Sequence, residues 1–316
     1  MQQIIEIKIA GRIDKVLSNL LSISRNQVEK LIKDGLVSVN NKIITKTSHK
    51  LVIDDNVEYR FKEAEKKEPL DINFDIDIIY EDDDILIVNK PTGLIVHPAP
   101  SVKEPTLVDW LRYKGISLST ISGEERHGIV HRIDKETTGA LVIAKNNEAH
   151  QNLSEQLQDK SMGRYYLALI DCPLKENVIV NKPIARSPNN RLKMDIVDNG
   201  KNAKTAFVKL AEGKSNIELI VAKLYTGRTH QIRVHLATLG RHILGDTTYG
   251  YKSKSYKVNR VQLHAYQLYL THPRTKERMT FIAPLFNDMQ KFLSSYLNVE
   301  NIENNIKDGE IDRLFN

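Results

Sequence analysis

In HRIDKETTG (131–139), His131, Arg132 and Asp134 stand together, and Thr137, Thr138 and Gly139 then turn the chain into the apolar run ALVIA. A carboxylate at the junction of a loop and a buried strand is held rigidly while pointing into a cleft, as a nucleophile or general base must be. An ordinary Arg-x-Asp on a surface forms only an ion pair worth about 1 kcal/mol or less. A second cluster makes that bland reading uncomfortable. TGRTHQIRVHLATLG (226–240) follows a strand and opens a helix whose core face is Ile232, Leu236 and Leu239. Arg233 sits one position past Ile232, beside that face, so its guanidinium is directed toward the interior edge. There it needs a carboxylate partner or suffers heavy desolvation. Asp134 is the expected partner, and the pairing would hold the aspartate ionised, as a nucleophile must be.

The surrounding pattern is a strand-dominated α+β domain. Apolar runs bounded by turns predict strands at 85–90, 139–145, 164–170, 205–210, 216–224, 261–270 and 279–283, and alternation in DINFDIDIIY (71–80) predicts a half-buried strand bearing Ile72, Phe74, Ile76 and Ile78 inward. Helices are expected over about 147–160, 230–239 and 287–297. The strands are too irregularly spaced for regular βαβ units, so the sheet is expected to be mixed and mainly antiparallel, with flanking helices. EDDD (81–84) reads as a solvated turn, and Trp110 as core.

Ahead of this domain lies a small module with strong local grammar. Ile13, Val16, Leu17 and Leu20 form one helical face. Ser24 and Gln27 have the spacing of a capping box, Val28, Leu31 and Ile32 line a second helix, and Gly35 ends it. Val37 and Val39 alternate into a strand, and Asn40-Asn41 suits a hairpin turn with positive φ. Arg12, Lys15, Arg25, Lys30 and Lys33 line the polar faces. The domain boundaries read as 1–61 for the module, 62–70 for a charged linker closed by proline, 71–297 for the large domain, and 298–316 for a polar tail.

Composition narrows the functional classes. The 316 residues contain one cysteine, Cys172, which excludes a disulfide framework and a cysteine-rich zinc site. No apolar run approaches the roughly 18 residues of a membrane span, and Glu6 and Lys8 interrupt the early isoleucines, so a soluble cytoplasmic protein is expected. The formal charge of +6 leans toward a polyanionic partner. His230 and His235 are five apart, wrong for two ligands on one helical face, and no HExxH occurs, so no metal is expected. Asp109, Glu124 and Glu125 carry no cue pairing them with Asp134 as a glycosidase acid and base.

NKPTGLIVHP (89–98), GIVHRIDKETTGALVIAKN (128–146), GRYYLAL (163–169), TGRTHQIRVHLATLGRHILGD (226–246) and LHAYQLYLTHP (263–273) together resemble the RNA pseudouridine synthases. More narrowly, the chain is similar to the branch that acts on large-subunit ribosomal RNA and carries an N-terminal S4-type RNA-binding module, for which GRIDKVLSNLL and SRNQVEKLIKDGLVSVNN speak. The resemblance runs in one order from about residue 12 to 285; Ile133 for the usual leucine and Thr138 for the common serine are mild departures.

That resemblance implies isomerisation of uridine to pseudouridine without a cofactor, by a chain acting as a monomer on large-subunit ribosomal RNA or its assembly precursor. It makes Asp134 the catalytic aspartate, Tyr166 the tyrosine that stacks on the target base, with Tyr165 the adjacent alternative, and Arg233 the basic partner of the aspartate. Arg132 resembles the residue that enters the RNA stack where the uridine has left, and His131 is structural or touches RNA. Substrate contacts are further implied for Thr138, Arg228 and His230, and in the module for Arg12, Arg25, Lys30 and Lys33. Two rivals are weaker. An rRNA methyltransferase with an S4-type module would need a glycine-rich cofactor loop, and no G-x-G-x-x-G is present. An assembly factor with a dead site would lack Asp134, Tyr166 or Arg233, and all three are there.

Overall fold

The computed structural model describes residues 2–21, 25–60, 71–99, 102–121, 126–252, 256, 258–298, 302 and 306–315. The capping box at Ser24, the linker and the Glu124–Glu125 pair lie outside them. The chain divides into two compact units, Met1–Pro69 and Leu70–Asn316.

The first unit contains strands β1 (Gln2–Glu6), β2 (Gly11–Arg12), β3 (Val37–Val39), β4 (Lys42–Ile43), β5 (Lys50–Leu51) and β6 (Asn56–Arg60), with helices α1 (Ile13–Leu20) and α2 (Arg25–Lys33). Its main sheet runs β1-β6-β3-β4, and β2 pairs with β5. Ile13 and Leu17 of α1 and Val28 and Ile32 of α2 meet Val37, Leu51 and Val57 in a common core, the helical period delivering each apolar side chain to the sheet. Gly35 takes φ +68° after α2, and Asn40 and Asn41 take φ 48° and 65° in the β3–β4 turn, the backbone that two-residue hairpins require. Leu20, expected on the buried face of α1, is half exposed because the helix ends there.

The second unit is built on one mixed sheet. Its strands are β7 (Asp77–Glu81), β8 (Ile85–Lys90), β9 (Thr138–Ala144), β10 (Gly163–Asp171), β11 (Val178–Asn181), β12 (Ile184–Arg186), β13 (Met194–Ile196), β14 (Lys204–Glu212), β15 (Ile217–Leu224), β16 (His242–Ile243), β17 (Leu263–Thr271) and β18 (Arg278–Ile282). The order is β11-β14-β15-β10-β17-β9-β8-β7, with β16 on β10 and β18 on β17; β12 and β13 pair separately. Among the described strand pairs, β9 and β17 alone run parallel. Helices α3 (Leu107–Tyr113), α4 (Asn147–Asp159), α5 (Gln231–Thr238) and α6 (Asn287–Tyr296) cover the faces.

Strand β10 is buried from Gly163 through Ile170. Tyr166, Ala168 and Ile170 pack into one core with Trp110, Leu141 and Ile232. Tyr165, Leu167 and Leu169 pack into another, with Met289 and Leu293 of α6. Period-two alternation therefore separates the two adjacent tyrosines onto opposite faces.

Three expectations are corrected. Residues 71–76 do not form a strand: Ile72, Phe74 and Ile76 turn inward, but β7 begins at Asp77, and Ile78 is 46 % exposed, with an irregularity in the pairing between Ile78 and Tyr80 shifting the inward set to Ile79 and Tyr80. The EDDD turn is not simply solvated. Asp84 is buried and accepts two hydrogen bonds from Arg274, at 2.6 and 2.7 Å, and one from Asn146, which hold its carboxyl down at about 2. Asp82 accepts from His272 at 2.8 Å and from the Ile85 N–H. These two aspartates and His272 are the one group of potential metal donors close together among the described residues, and the arginine already occupies it. Finally, the polar tail is not peripheral: Ile302, Ile306 and Ile311 are buried in the core behind Tyr165, and the Tyr165 hydroxyl donates to Asp312.

Gly139 shows how tightly the central parallel pair is drawn. It has φ +110°, and a Cβ there would lie 2.3 Å from the Ala265 carbonyl oxygen on β17. Backbone cannot yield to such a contact, and L residues avoid that φ. Gly139→Ala is expected to cost about 3 kcal/mol, lowering Tm by roughly 6–12 °C in a domain of this size; a thermal melt changed by under 2 °C would contradict it.

Candidate active site

The loop carrying Asp134 is fastened by the NKPTG segment, which sequence alone could read as a mere strand end. Lys90 is fully buried and donates to the carbonyls of Pro91, Leu94 and Lys135, at 2.7, 2.9 and 3.1 Å. Gly93 N–H also donates to the Lys135 carbonyl, at 2.9 Å, and the Thr137 N–H closes the turn on the Asp134 carbonyl, at 3.1 Å. Burial brings the Lys90 ammonium down to about 7, opposed by the nearby charge of Asp134. The lysine thus pins the residue next to the aspartate from beneath.

Asp134 emerges into a cleft that Tyr166, Arg132, Arg228, His230 and Arg233 also line. Its Oδ2 lies 3.5 Å from Arg233 NH1 and 4.0 Å from His230 Nε2, and its side chain is 17 % exposed. The expected Arg233–Asp134 pair is therefore present but secondary. The two-point partner of Arg233 is Asp246, which accepts from Nε at 2.6 Å and from NH2 at 2.8 Å and is 1 % exposed. Burial works to lower the arginine's pKa, but the Asp246 carboxylate outweighs it and the net direction is upward. Arg233 also lies over the Tyr249 ring, 4.9 Å from its centroid. Fork-to-fork pairing fixes the plane of the guanidinium and leaves NH1 facing Asp134. Asp246 lies in the ILGD stretch, inside a motif that pointed to the site, but nothing in its spacing announced it as the partner.

His230 precedes α5 with φ 55°, and its Nδ1 is 2.8 Å from the Tyr249 hydroxyl. Burial lowers its pKa, against the pull of Asp134, so the ring is neutral at neutral pH. Tyr166 is buried, its hydroxyl pushed upward by burial, so it meets the cleft as a neutral aromatic surface. Arg132 is exposed at the mouth, and Arg228, also exposed, is held at the rim by donating from Nε to the Asn202 carbonyl at 3.0 Å.

Thr138, given a substrate role from sequence, lies elsewhere, and His131, read as structural or touching RNA, is buried beside the neighbouring cavity. Thr138 is fully buried with Oγ1 2.8 Å from His264 Nδ1, a packing role set by its place at the start of β9; Thr137 lines the cleft instead. His131 is buried, pushed well below its ordinary pKa first by burial and then by Arg164, whose NH1 donates to its Nδ1 at 2.9 Å. Trp110 is core, as expected, and His235 is buried as well. In the first unit, Arg12 pairs with Asp14 through two 3.0 Å bonds, Lys33 approaches Glu29 at 3.7 Å, and Arg25 and Lys30 are exposed.

A carboxylate held from below, faced by a fixed cation and walled by a neutral aromatic ring, is equipped for covalent or general-base work on a planar ring bound beside it. Likeness to known proteins gives the family. Residues 84–238 match the RNA pseudouridylate synthase family and residues 11–57 the S4 domain. An RNA pseudouridine synthase of Helicobacter pylori, itself uncharacterised, is 44 % identical over 96 % of this chain and 95 % of its own length. The ribosomal large subunit pseudouridine synthase D of Zymomonas mobilis is 37 % identical over 90 % and 93 %. Among solved structures, human RNA pseudouridylate synthase domain containing 1 superposes with a TM-score of 0.54 at 25 % identity, over 70 % of this chain and 94 % of that one. The fold and the cleft define an RNA-modifying enzyme. This chain belongs to the RNA pseudouridine synthases, and it carries an S4 domain ahead of the catalytic unit.

No helix among the described residues is long and apolar enough to cross a membrane.

Proposed function

We propose that this enzyme converts uridine to pseudouridine at specific positions in large-subunit ribosomal RNA, by flipping the uridine into the Asp134 cleft and exchanging its glycosidic bond through that carboxylate. The observation that carries the reading is Asp134 itself, placed 3.5 Å from Arg233 in a cleft shared with Tyr166. The exchange balances internally: the bond from ring nitrogen one to the sugar breaks, a bond from ring carbon five forms, and the proton displaced from carbon five is replaced by one on nitrogen. No oxidant, phosphate or external nucleophile is consumed, so the chemistry calls for no cofactor.

Extrusion of a base costs a few kcal/mol. Stacking on an aromatic side chain returns about 1–3 kcal/mol, and Tyr166 is the ring in position. Arg132 at the mouth has the reach to enter the vacated stack. The ribosomal substrate is supported by the S4 domain, with Arg25 and Lys30 exposed on it, and by relatives named for the large ribosomal subunit, in Zymomonas mobilis and Nitrosomonas europaea.

The test is tritium release from RNA labelled at carbon five of uridine, with large-subunit ribosomal RNA and transfer RNA in parallel. Release from ribosomal RNA is expected; release from transfer RNA alone would keep the chemistry and overturn the substrate.

A further inference from the structure

We propose that Arg164 holds a phosphate of the RNA beside the target uridine, and that the cavity it borders seats the adjoining nucleotide. The proposal rests on reading the Asp134 cleft as the uridine site.

Arg164 is the second residue of β10 and is 8 % exposed. A guanidinium carries five N–H donors. Here NH1 donates to His131 Nδ1, Nε is buried with no hydrogen-bond partner, and no carboxylate among the described residues pairs with the group. Even the imidazole is contested, because its other nitrogen faces the Val142 N–H at 3.3 Å and a neutral ring has one lone pair. A buried, unpaired guanidinium is expensive. Arg233, equally buried in the same cleft, has its own aspartate. The missing partner of Arg164 is an anion that arrives with the substrate.

The geometry says where. Arg164, Arg132 and Gly227 line the Asp134 cleft on one side and, on the other, a cavity of about 550 Å³. That volume falls in the range of about 300–1,000 Å³ typical of small-ligand pockets. The cavity is bordered further by Lys223, Tyr225, Lys160 and Arg126, and among the described residues no Asp or Glu lines it. Two ammonium groups approach the Tyr225 ring, Lys204 Nζ at 4.7 Å and Lys223 Nζ at 5.7 Å from its centroid. An aromatic ring amid cations fits a base with its phosphate, the pairing used by surfaces that bind single-stranded RNA. A phosphate at the shared wall links a nucleotide on each side of it.

Arg164→Met removes the charge and keeps most of the volume. In the tritium assay it is expected to raise KM for large-subunit ribosomal RNA at least about tenfold with kcat within about threefold, and to flatten the log–log salt dependence by about 0.7, the release of one phosphate contact on a single strand. Tyr225→Ala is expected to raise KM with the salt slope unchanged. The Tm of free Arg164→Met should equal or exceed that of the native protein, since an unpaired charge has gone. Inorganic pyrophosphate should raise the Tm of the native protein and not that of the variant. A lower Tm with KM and salt slope unchanged would make Arg164 a brace for His131 and overturn the proposal. Should the native enzyme release no tritium, the uridine reading fails on its own; pyrophosphate stabilising native protein and variant alike would then overturn the phosphate site separately.

Discussion

Asp134→Asn is expected to abolish tritium release, with kcat down by at least about 10⁴-fold, while the protein folds and binds RNA as before. The loss follows from chemistry: an amide is neither a nucleophile toward the sugar or base nor a base for a sugar proton, and removing the group that makes the bond costs that much or more. The retained stability follows from geometry. Arg233 keeps its two-point contact with Asp246, at 2.6 and 2.8 Å, so no buried cation is stranded. Tm should stay within about 2 °C and RNA affinity within a few fold. Measurable turnover near the native rate would end the assignment of Asp134, whatever the affinity did.

The companion experiment reverses the pattern. Asp246 is 1 % exposed and carries the plane of the Arg233 guanidinium. Asp246→Asn strands that cation in the interior, where removing one partner of a buried pair costs about 3–5 kcal/mol, a fall in Tm of roughly 10 °C. Arg233 then turns to Asp134, already 3.5 Å away, and draws the carboxylate off its line of approach. A displacement near 1 Å is worth about 100-fold in rate, and the loss should fall on kcat more than on KM. Two carboxylates around one guanidinium are thus told apart: one variant kills turnover in a stable protein, the other weakens both. Full activity in Asp246→Asn at low temperature would show that Arg233 needs no orienting.

The sequence carried the strands and helices that have strong periods. β8, β10, β14, β15 and α4 fall within a few residues of their expected bounds, because each strand is an apolar run and α4 is an amphipathic stretch capped by Asn146. Helix α3 escaped notice because it is seven residues long and its capping box, Thr106 with Asp109, sits in an otherwise irregular stretch. In the cleft, Asp134 and Arg233 were legible in their motifs, and Tyr166 through the family resemblance, alternation telling only that one of the two tyrosines turns inward. Asp246, Lys90 and Arg164 were not, since each owes its place to contacts made across the sheet: Lys90 meets the carbonyl of Lys135, 45 positions away, and Arg164 meets His131, 33 away. Thr138 misled in the opposite sense. A hydroxyl beside a motif looks available for substrate, but the strand phase turned it inward to His264.

The seating of the last described residues against Tyr165 has a bearing on how the enzyme comes into being. Tyr165 and Asp312 are 147 positions apart, and Ile302, Ile306 and Ile311 come after every strand of the sheet in order of synthesis. While the ribosome is still at work on them, the core behind β10 lacks part of its filling, and long-range contacts of this kind are late to form. Tyr166 lies on the front of the same strand, in the other core. The core that backs the strand carrying Tyr166 is thus completed by residues translated after every strand of the sheet, so the sheet is made before its rear packing is.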